Sequence, residues 1–281
     1  MKDNHAGTIS ASDGSCEYES VARPCATIIV NADDWGRDVP TTDRTLDCAL
    51  RGVISSVGAM LFMVDSERAA DLAQQHDIDA GLHLNFTMPF TSPQCPNKLL
   101  EHQERLSRYL NSNRLAPVIY HPGLTASFEY VVKAQQEEYE RLYGAPASRM
   151  DGHHHMHLCM NVMLQNLIPP GIIVRRNFTF GPGEKGYFNR LYRGLQDRQL
   201  ARRYRITDYF FDLIPLQPSR LRRIFELAIR FNVEIETHAI DNAQYRFLLD
   251  REFSSCAGDV GIARGYVLRS DSGCADVKAI V

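Results

Sequence analysis

Short apolar runs rich in β-branched residues alternate along the chain with stretches whose apolar positions recur at helical spacing. Thr27-Ile28-Ile29-Val30 opens the series and has the continuous apolar character of a strand buried on both faces. Leu46, Ala49, Leu50 and Val53 fall on one helical stripe, and residues 53–62 then read as an apolar, strand-forming segment. Ala69, Leu72 and Ala73 mark a second helix. Residues 79–84 form a short expected strand that runs into a proline-containing loop, 86–97, long enough to serve a substrate. Phe128, Val131, Val132, Gln135, Tyr139 and Leu142 trace a long helix, with Ser127 as its expected N-cap and Gly144 as its stop. Further strands are expected at 149–152, 172–175, 206–211, 233–237 and 266–269, with helical patterns such as Leu221, Ile224, Phe225, Ala228 and Ile229 between them. About eight strands separated mostly by helices is the pattern of parallel β/α architecture, and a β/α barrel, regular or distorted, is the expected fold.

Composition narrows the class. The 281 residues, 44% of them hydrophobic, can bury a large core, which suits one enzyme-sized domain over residues 26–281. The formal charge of −3 is of mixed sign, so the whole molecule has no general attraction for nucleic acid or an anionic membrane, and any polyanion partner must be read locally. Seven scattered cysteines without a Cys-x-x-Cys pair argue against a disulfide framework or a zinc ribbon and read as reduced thiols. Residues 1–25 are expected to be a flexible polar leader: Asp3, Asp13, Glu17 and Glu19 leave no apolar run for a signal peptide or anchor. A cytoplasmic protein without a membrane span follows as the expectation.

Polar residues that look out of place gather at the ends of the expected strands. They are Asp33 and Asp34 after the first, His83 in the third, Asp151 and His153 after the fourth, and His238 after the seventh. In a β/α barrel those ends converge on one catalytic face. Two adjacent aspartates after an apolar strand are costly to desolvate unless a cation or ionic partner satisfies them, although an Asp turn before a helix would look the same. Asp151-Gly152-His153-His154-His155-Met156-His157 is less ordinary. If extended, it lines His153, His155 and His157 along one face, a grouping typical of transition-metal ligands. Spacing alone leaves open which imidazole binds. His83 and His238 taken singly would pass for core histidines; their shared strand-end position favours a role in chemistry.

At these residues the sequence resembles the YdjC-type carbohydrate deacetylases, a family that includes chitooligosaccharide deacetylases and hopanoid-associated deacetylases. The matching segments run in the family's order: Ile29 through Gly36 as Ile-Val-Asn-Ala-Asp-Asp-Trp-Gly, Gly81-Leu82-His83-Leu84-Asn85, the His tract, and the Glu-x-x-x-His segment ending at His238. The resemblance implies a barrel of the glycoside hydrolase/deacetylase type, hydrolysis of an acetyl group from an N-acetylated sugar, and a homodimer. It also implies a divalent ion, magnesium by family habit, held by Asp34, His83 and His153, with His238 as the acid that protonates the leaving amine, and the need for a second carboxylate makes Asp33 the expected general base. Two imidazoles suit zinc, cobalt or manganese better than magnesium. Two positions depart from the family pattern. Trp35 replaces Phe or Tyr, a change of packing, and His238-Ala239-Ile240 stands where His-Pro-Gly is usual, which is expected to free the backbone there.

Other functions fit parts of this pattern. Asp and His clusters also serve metal-dependent phosphoesterases, and a His tract alone would serve a non-catalytic metal- or carbohydrate-binding protein. Arg190, Arg193, Arg198, Arg202, Arg203 and Arg205, interrupted by Asp197 as the sole acid, read as a solvated helix face or as attraction to a phosphate- or lipid-linked sugar.

Overall fold

In the computed structural model, which describes residues 26–181, 183–269 and 277–278, the leading apolar run becomes strand β1, Thr27–Trp35. The leader expected at 1–25 lies outside the described residues. The next six strands are β2 (Ser56–Ala59), β3 (Ala80–Leu84), β4 (Arg149–Gly152), β5 (Ile173–Val174), β6 (Tyr209–Asp212) and β7 (Val233–Thr237). They pair in parallel in the order β5-β4-β3-β2-β1-β7-β6. β5 and β6 do not pair as strands; an isolated parallel bridge from Ile173 to Arg205, in the segment before β6, lies between these outer strands, so the curled sheet makes a partly open β/α barrel. β8 (Gly261–Ala263) pairs with the start of β1, and the short β9 (Val277–Lys278) pairs antiparallel to β8.

Helices fill the crossovers: α1 (Val39–Leu50), α2 (Ser66–Gln75), α3 (Asn97–Leu110), α4 (Thr125–Tyr143), α5 (Met160–Gln165), α6 (Tyr187–Ala201), α7 (Pro218–Ala228), α8 (Asn242–Leu249) and α9 (Arg251–Ala257). α1 starts where Asp38 accepts a bond from the Thr41 amide at 2.9 Å, with Pro40 in the first turn. α4 stops at Gly144, whose φ of 78° is the left-handed cap conformation that glycine adopts without strain. The main core packs one face of the sheet against the helices, from Ile28 and Val30 on β1 to Phe128, Val131 and Phe225, and Ile29 on the other face joins a separate small cluster with Ile173, Ala263, Tyr266 and Leu268.

Three local expectations are corrected, and one helix appears that the pattern did not predict. α4 begins two residues before Ser127, whose hydroxyl instead pairs with the His102 imidazole at 2.9 Å. The eighth strand lies at Gly261–Ala263, and 266–269 is irregular because the Tyr266 amide bonds to the Asp79 carboxylate and the Arg269 amide to the Asn232 side chain instead of a ladder. Helix α3 was hidden because its buried stripe, Leu99, Gln103, Leu106 and Leu110, has a polar member; Gln103 is buried by donating to the Met88 carbonyl at 2.7 Å. The His tract is not extended: it folds into a 3₁₀ turn, His153–Leu158, with His154 and His155 at φ of 53° and 57°. That turn breaks the period-two face expected for His153, His155 and His157.

Candidate active site

β1 delivers both aspartates to one place because it does not end as a regular strand. Its register with β2 shifts between Ala32 and Trp35, and Asp34 has a φ of 66°. Regular alternation would send neighbouring carboxylates to opposite faces. Here Asp33 Oδ2 and Asp34 Oδ1 lie 3.9 and 3.4 Å from the two nitrogens of His83. Trp35, fully buried, pins the strand end by donating its indole N–H to the Ala69 carbonyl at 3.1 Å.

β3 and β4 supply the histidines. Asp151 accepts from His83 Nδ1 at 2.8 Å, which leaves Nε2 facing Asp34. This carboxylate-to-imidazole bond is the support that metal-binding histidines commonly have. Gly58 on β2 makes the floor: a Cβ there would stand 3.0 Å from His83 Nδ1 and 3.3 Å from Asp151 Oδ1. His153 places Nδ1 2.9 Å from Asp34 Oδ1, and its ring meets that of His83 edge to face at 5.9 Å between centroids. Asp34, His83 and His153 are all buried, and each offers a ligand atom within 4.8 Å of the others.

This trio fits a divalent ion better than its neighbours do. Nε2 of His83 and Nε2 of His153 are buried without a hydrogen-bond partner among the described residues, a costly state that a cation would relieve. Burial alone would lower the pKa of His83, but the charges of Asp33 and Asp151 and the bond to Asp151 outweigh it and hold it at about 10. The field that keeps a proton there is one that draws a cation. Two overlapping groups also have metal-like spacing, Asp33 with His83 and Asp151, and Asp33 with Glu236 and His238. Arg175 engages both oxygens of Asp33 and also reaches Asp151 and Glu236, whereas Asp34 gives only Oδ2 to Arg37, at 2.8 Å, and keeps Oδ1 toward the two histidines.

Arg175 lies just past β5, and nothing in the hydrophobic pattern singled it out. Fully buried, it binds Asp33 through two nitrogens at 2.6 and 2.7 Å, Asp151 at 3.0 Å, Glu234 at 2.8 Å and Glu236 at 3.2 Å. Burial opposes charge on the guanidinium, yet Asp151, Asp33 and Glu234 hold its pKa well above the usual value. Asp151 is correspondingly far below the carboxylate range, because Arg175, His83 and Arg149 outweigh its desolvation. Glu236 goes the other way, raised by burial and by the neighbouring Asp33 charge. The readable signal was two glutamates, Glu234 and Glu236, within an apolar strand, which require a buried cation opposite.

The rest of the His tract serves the frame. His157 donates Nε2–H to the Arg175 carbonyl at 2.9 Å, and burial lowers its pKa to about 4. His155 packs edge-on against Phe178 with centroids 4.5 Å apart, and burial holds it well below the usual histidine range. His154 meets the Thr87 hydroxyl at 3.1 Å, tying the 86–97 loop to the site.

His238 is the partly exposed member, with its imidazole within 4.8 Å of the Asp33 and Glu236 carboxylates. The freedom expected from the missing Pro-Gly is taken up by other bonds. Gln244 Oε1 accepts from the His238 amide at 3.0 Å and from the Thr237 hydroxyl at 2.9 Å, and the His238 carbonyl accepts from the Asp241 amide at 3.0 Å. Asp241 in turn caps α8, accepting from the Ala243 and Gln244 amides.

The sequence profile described as YdjC-like protein matches residues 27–248. Chitooligosaccharide deacetylases from Yersinia pestis (strain Pestoides F) and Yersinia pseudotuberculosis serotype O:1b (strain IP 31758) are 31% identical over 134 residues. The matched region is 47% of this chain and 50% of each relative, so the match spans about half the length of these curated relatives. A crystal structure from Enterococcus faecalis V583, described as a cellobiose-phosphate cleavage protein, superposes with a TM-score of 0.59. It covers 85% of this chain and 97% of its own at 16% identity, a likeness of fold.

Proposed function

Because the chain belongs to the YdjC-like protein family, we propose that it is a metal-dependent hydrolase that removes the acetyl group from an N-acetylated sugar. The observation that carries this reading is the buried trio Asp34, His83 and His153, with two orphaned imidazole nitrogens, set beside Asp33 and His238. A divalent ion held by Asp34, His83 and His153 would supply Lewis acidity toward an amide carbonyl and toward the attacking water. One carboxylate and two imidazoles favour zinc, cobalt or manganese over magnesium.

In this reading Asp33 accepts the proton of the attacking water. Arg175 and the Asn31 side-chain amide, 2.7 Å from Asp33 Oδ1, orient its carboxylate. His238 gives a proton to the departing sugar amine, so acetate and a free amine leave together. Its partial exposure suits a group that meets substrate and exchanges protons with solvent. Asp151 and Gly58 fix the His83 ring, and Gln244 fixes the His238 backbone.

The test is acetate release from GlcNAc, chitobiose and sugar-phosphate conjugates by purified protein, first stripped with a chelator and then restored with single divalent ions. Ion-dependent acetate release supports the reading. Phosphate release in its place points to a phosphoesterase and overturns it.

A further inference from the structure

α6 reverses the usual polarity of a surface helix. At 100° per residue, Tyr187, Phe188, Leu191, Leu195, Arg198 and Arg202 fall within about 100° of arc, on one stripe. That stripe faces solvent: Tyr187 is 66% exposed, Phe188 83%, Leu191 46% and Leu195 54%. Arg198 and Arg202 are exposed too, and their side chains have no hydrogen-bond or ion-pair partner among the described residues. The inward side buries only Asp197 and Leu200, so it is partly charged. Asp197, the sole acid of the helix, is buried against Arg176 at 2.7 Å and the Asn177 amide at 3.0 Å, and Arg193 lies over the Phe180 ring. The basic stretch seen in the sequence is therefore split, and a phosphate-bearing ligand would find only part of it on one face.

We propose that this stripe docks the protein on an anionic phospholipid surface, with the apolar first turns entering the boundary between headgroups and acyl chains and Arg198 and Arg202 meeting lipid phosphates. The order along the helix suits this arrangement. Tyr187 and Phe188 form the tip, and Arg198 stands about 16 Å further along the axis at 1.5 Å per residue. Aromatic and leucine side chains backed by arginine are the composition of interfacial helices. No helix among the described residues is long and apolar enough to cross a membrane, so the contact is one of surface. A second copy of this chain would meet the stripe with the same two cations and no acid from α6, so self-pairing is the less complementary occupant.

The stripe also adjoins the site. α6 follows β5, so its first turn lies at the strand ends that carry Asp33, His83 and Arg175. Ring contacts run from His155 to Phe178 and on to Phe180, on which Arg193 of α6 rests. Val64 and Ile214, 59% and 44% exposed, follow β2 and β6 at the same edge. Docking through α6 thus turns the mouth of the barrel toward the lipid.

Vesicle flotation of the full chain tests this independently of any turnover. Phosphatidylglycerol-containing vesicles should bind the protein at least about tenfold better than pure phosphatidylcholine, and added salt should weaken the binding. Phe188→Ser with Leu191→Ser, both at exposed positions, should lower binding by about tenfold or more with thermal unfolding unchanged. Leu195→Trp should show a blue-shifted emission only when anionic vesicles are present. Equal binding to neutral vesicles, or binding unaffected by the serine pair, overturns the proposal. A serine pair that converts a dimer to a monomer, with no vesicle binding by either form, overturns it as well and assigns the stripe to self-association.

Discussion

Arg175 holds both oxygens of Asp33, at 2.6 and 2.7 Å, with neither residue more than 3% exposed. This pair is the hub of the buried charge beneath the site, since the same guanidinium reaches Asp151, Glu234 and Glu236. Removing it would leave several carboxylates without compensation. Arg175→Met is expected to destabilise the fold by about 3–5 kcal/mol, read by denaturant unfolding. Arg175→Lys keeps the charge but not the fork, and should fall between wild type and Arg175→Met.

That hub also marks the boundary of what was legible. β1 could be read because an apolar run buried on both faces has few alternatives, β3, β4 and β7 lie within a residue of their expected bounds, and the strand-end positions of Asp34, His83 and His153 pointed to one place. Arg175 could not be read the same way. An arginine after a strand is ordinary until the glutamates facing it, 59 and 61 residues later in the chain, are known to be buried. The path of the His tract was hidden for a different reason: its turn depends on left-handed His154 and His155, a conformation that periodicity does not anticipate. Tyr266 read as a strand residue because it is aromatic and buried, but its burial serves a hydroxyl bond to Glu234.

The ligand set and the catalytic pair are separable by measurement. His83→Ala and His153→Ala should each weaken divalent-ion binding by at least about 100-fold in calorimetric titrations with zinc or manganese. Gly58→Ala should weaken it less, since its methyl crowds His83 Nδ1 at 3.0 Å without removing a ligand. Undiminished binding in both histidine variants would remove the trio from consideration.

Gln244 takes the place of a rigid backbone after His238. Gln244→Leu orphans the His238 amide and the Thr237 hydroxyl, at a cost of about 1–3 kcal/mol. It should also lower kcat by roughly 10- to 100-fold with KM little changed, because a displaced proton donor harms the transition state more than binding. Gln244→Glu keeps the accepting oxygen and should restore most of kcat. Equal losses in both variants would mean that Gln244 only packs.

The cap of α1 gives a pH-dependent prediction. Burial would raise the pKa of Asp38, but the bonds from Thr41 and Arg37 outweigh it and hold it lowered. A carboxyl lowered on folding contributes its stability above the unfolded value, about pH 4, and loses it as pH falls through the folded value. The stability difference between wild type and Asp38→Ala, about 1 kcal/mol near neutrality, should therefore shrink toward zero on acidification in urea titrations.

The measurement that bears most directly on the central claim pairs acetate release with ion binding in wild type and Asp33→Asn. Wild type should release acetate from an N-acetylated sugar, stop on chelation and recover with a divalent ion. Asp33→Asn should bind the ion as wild type does while turnover falls by roughly 10²- to 10⁴-fold. Unchanged turnover in Asp33→Asn, or acetate release indifferent to chelation, would contradict the account.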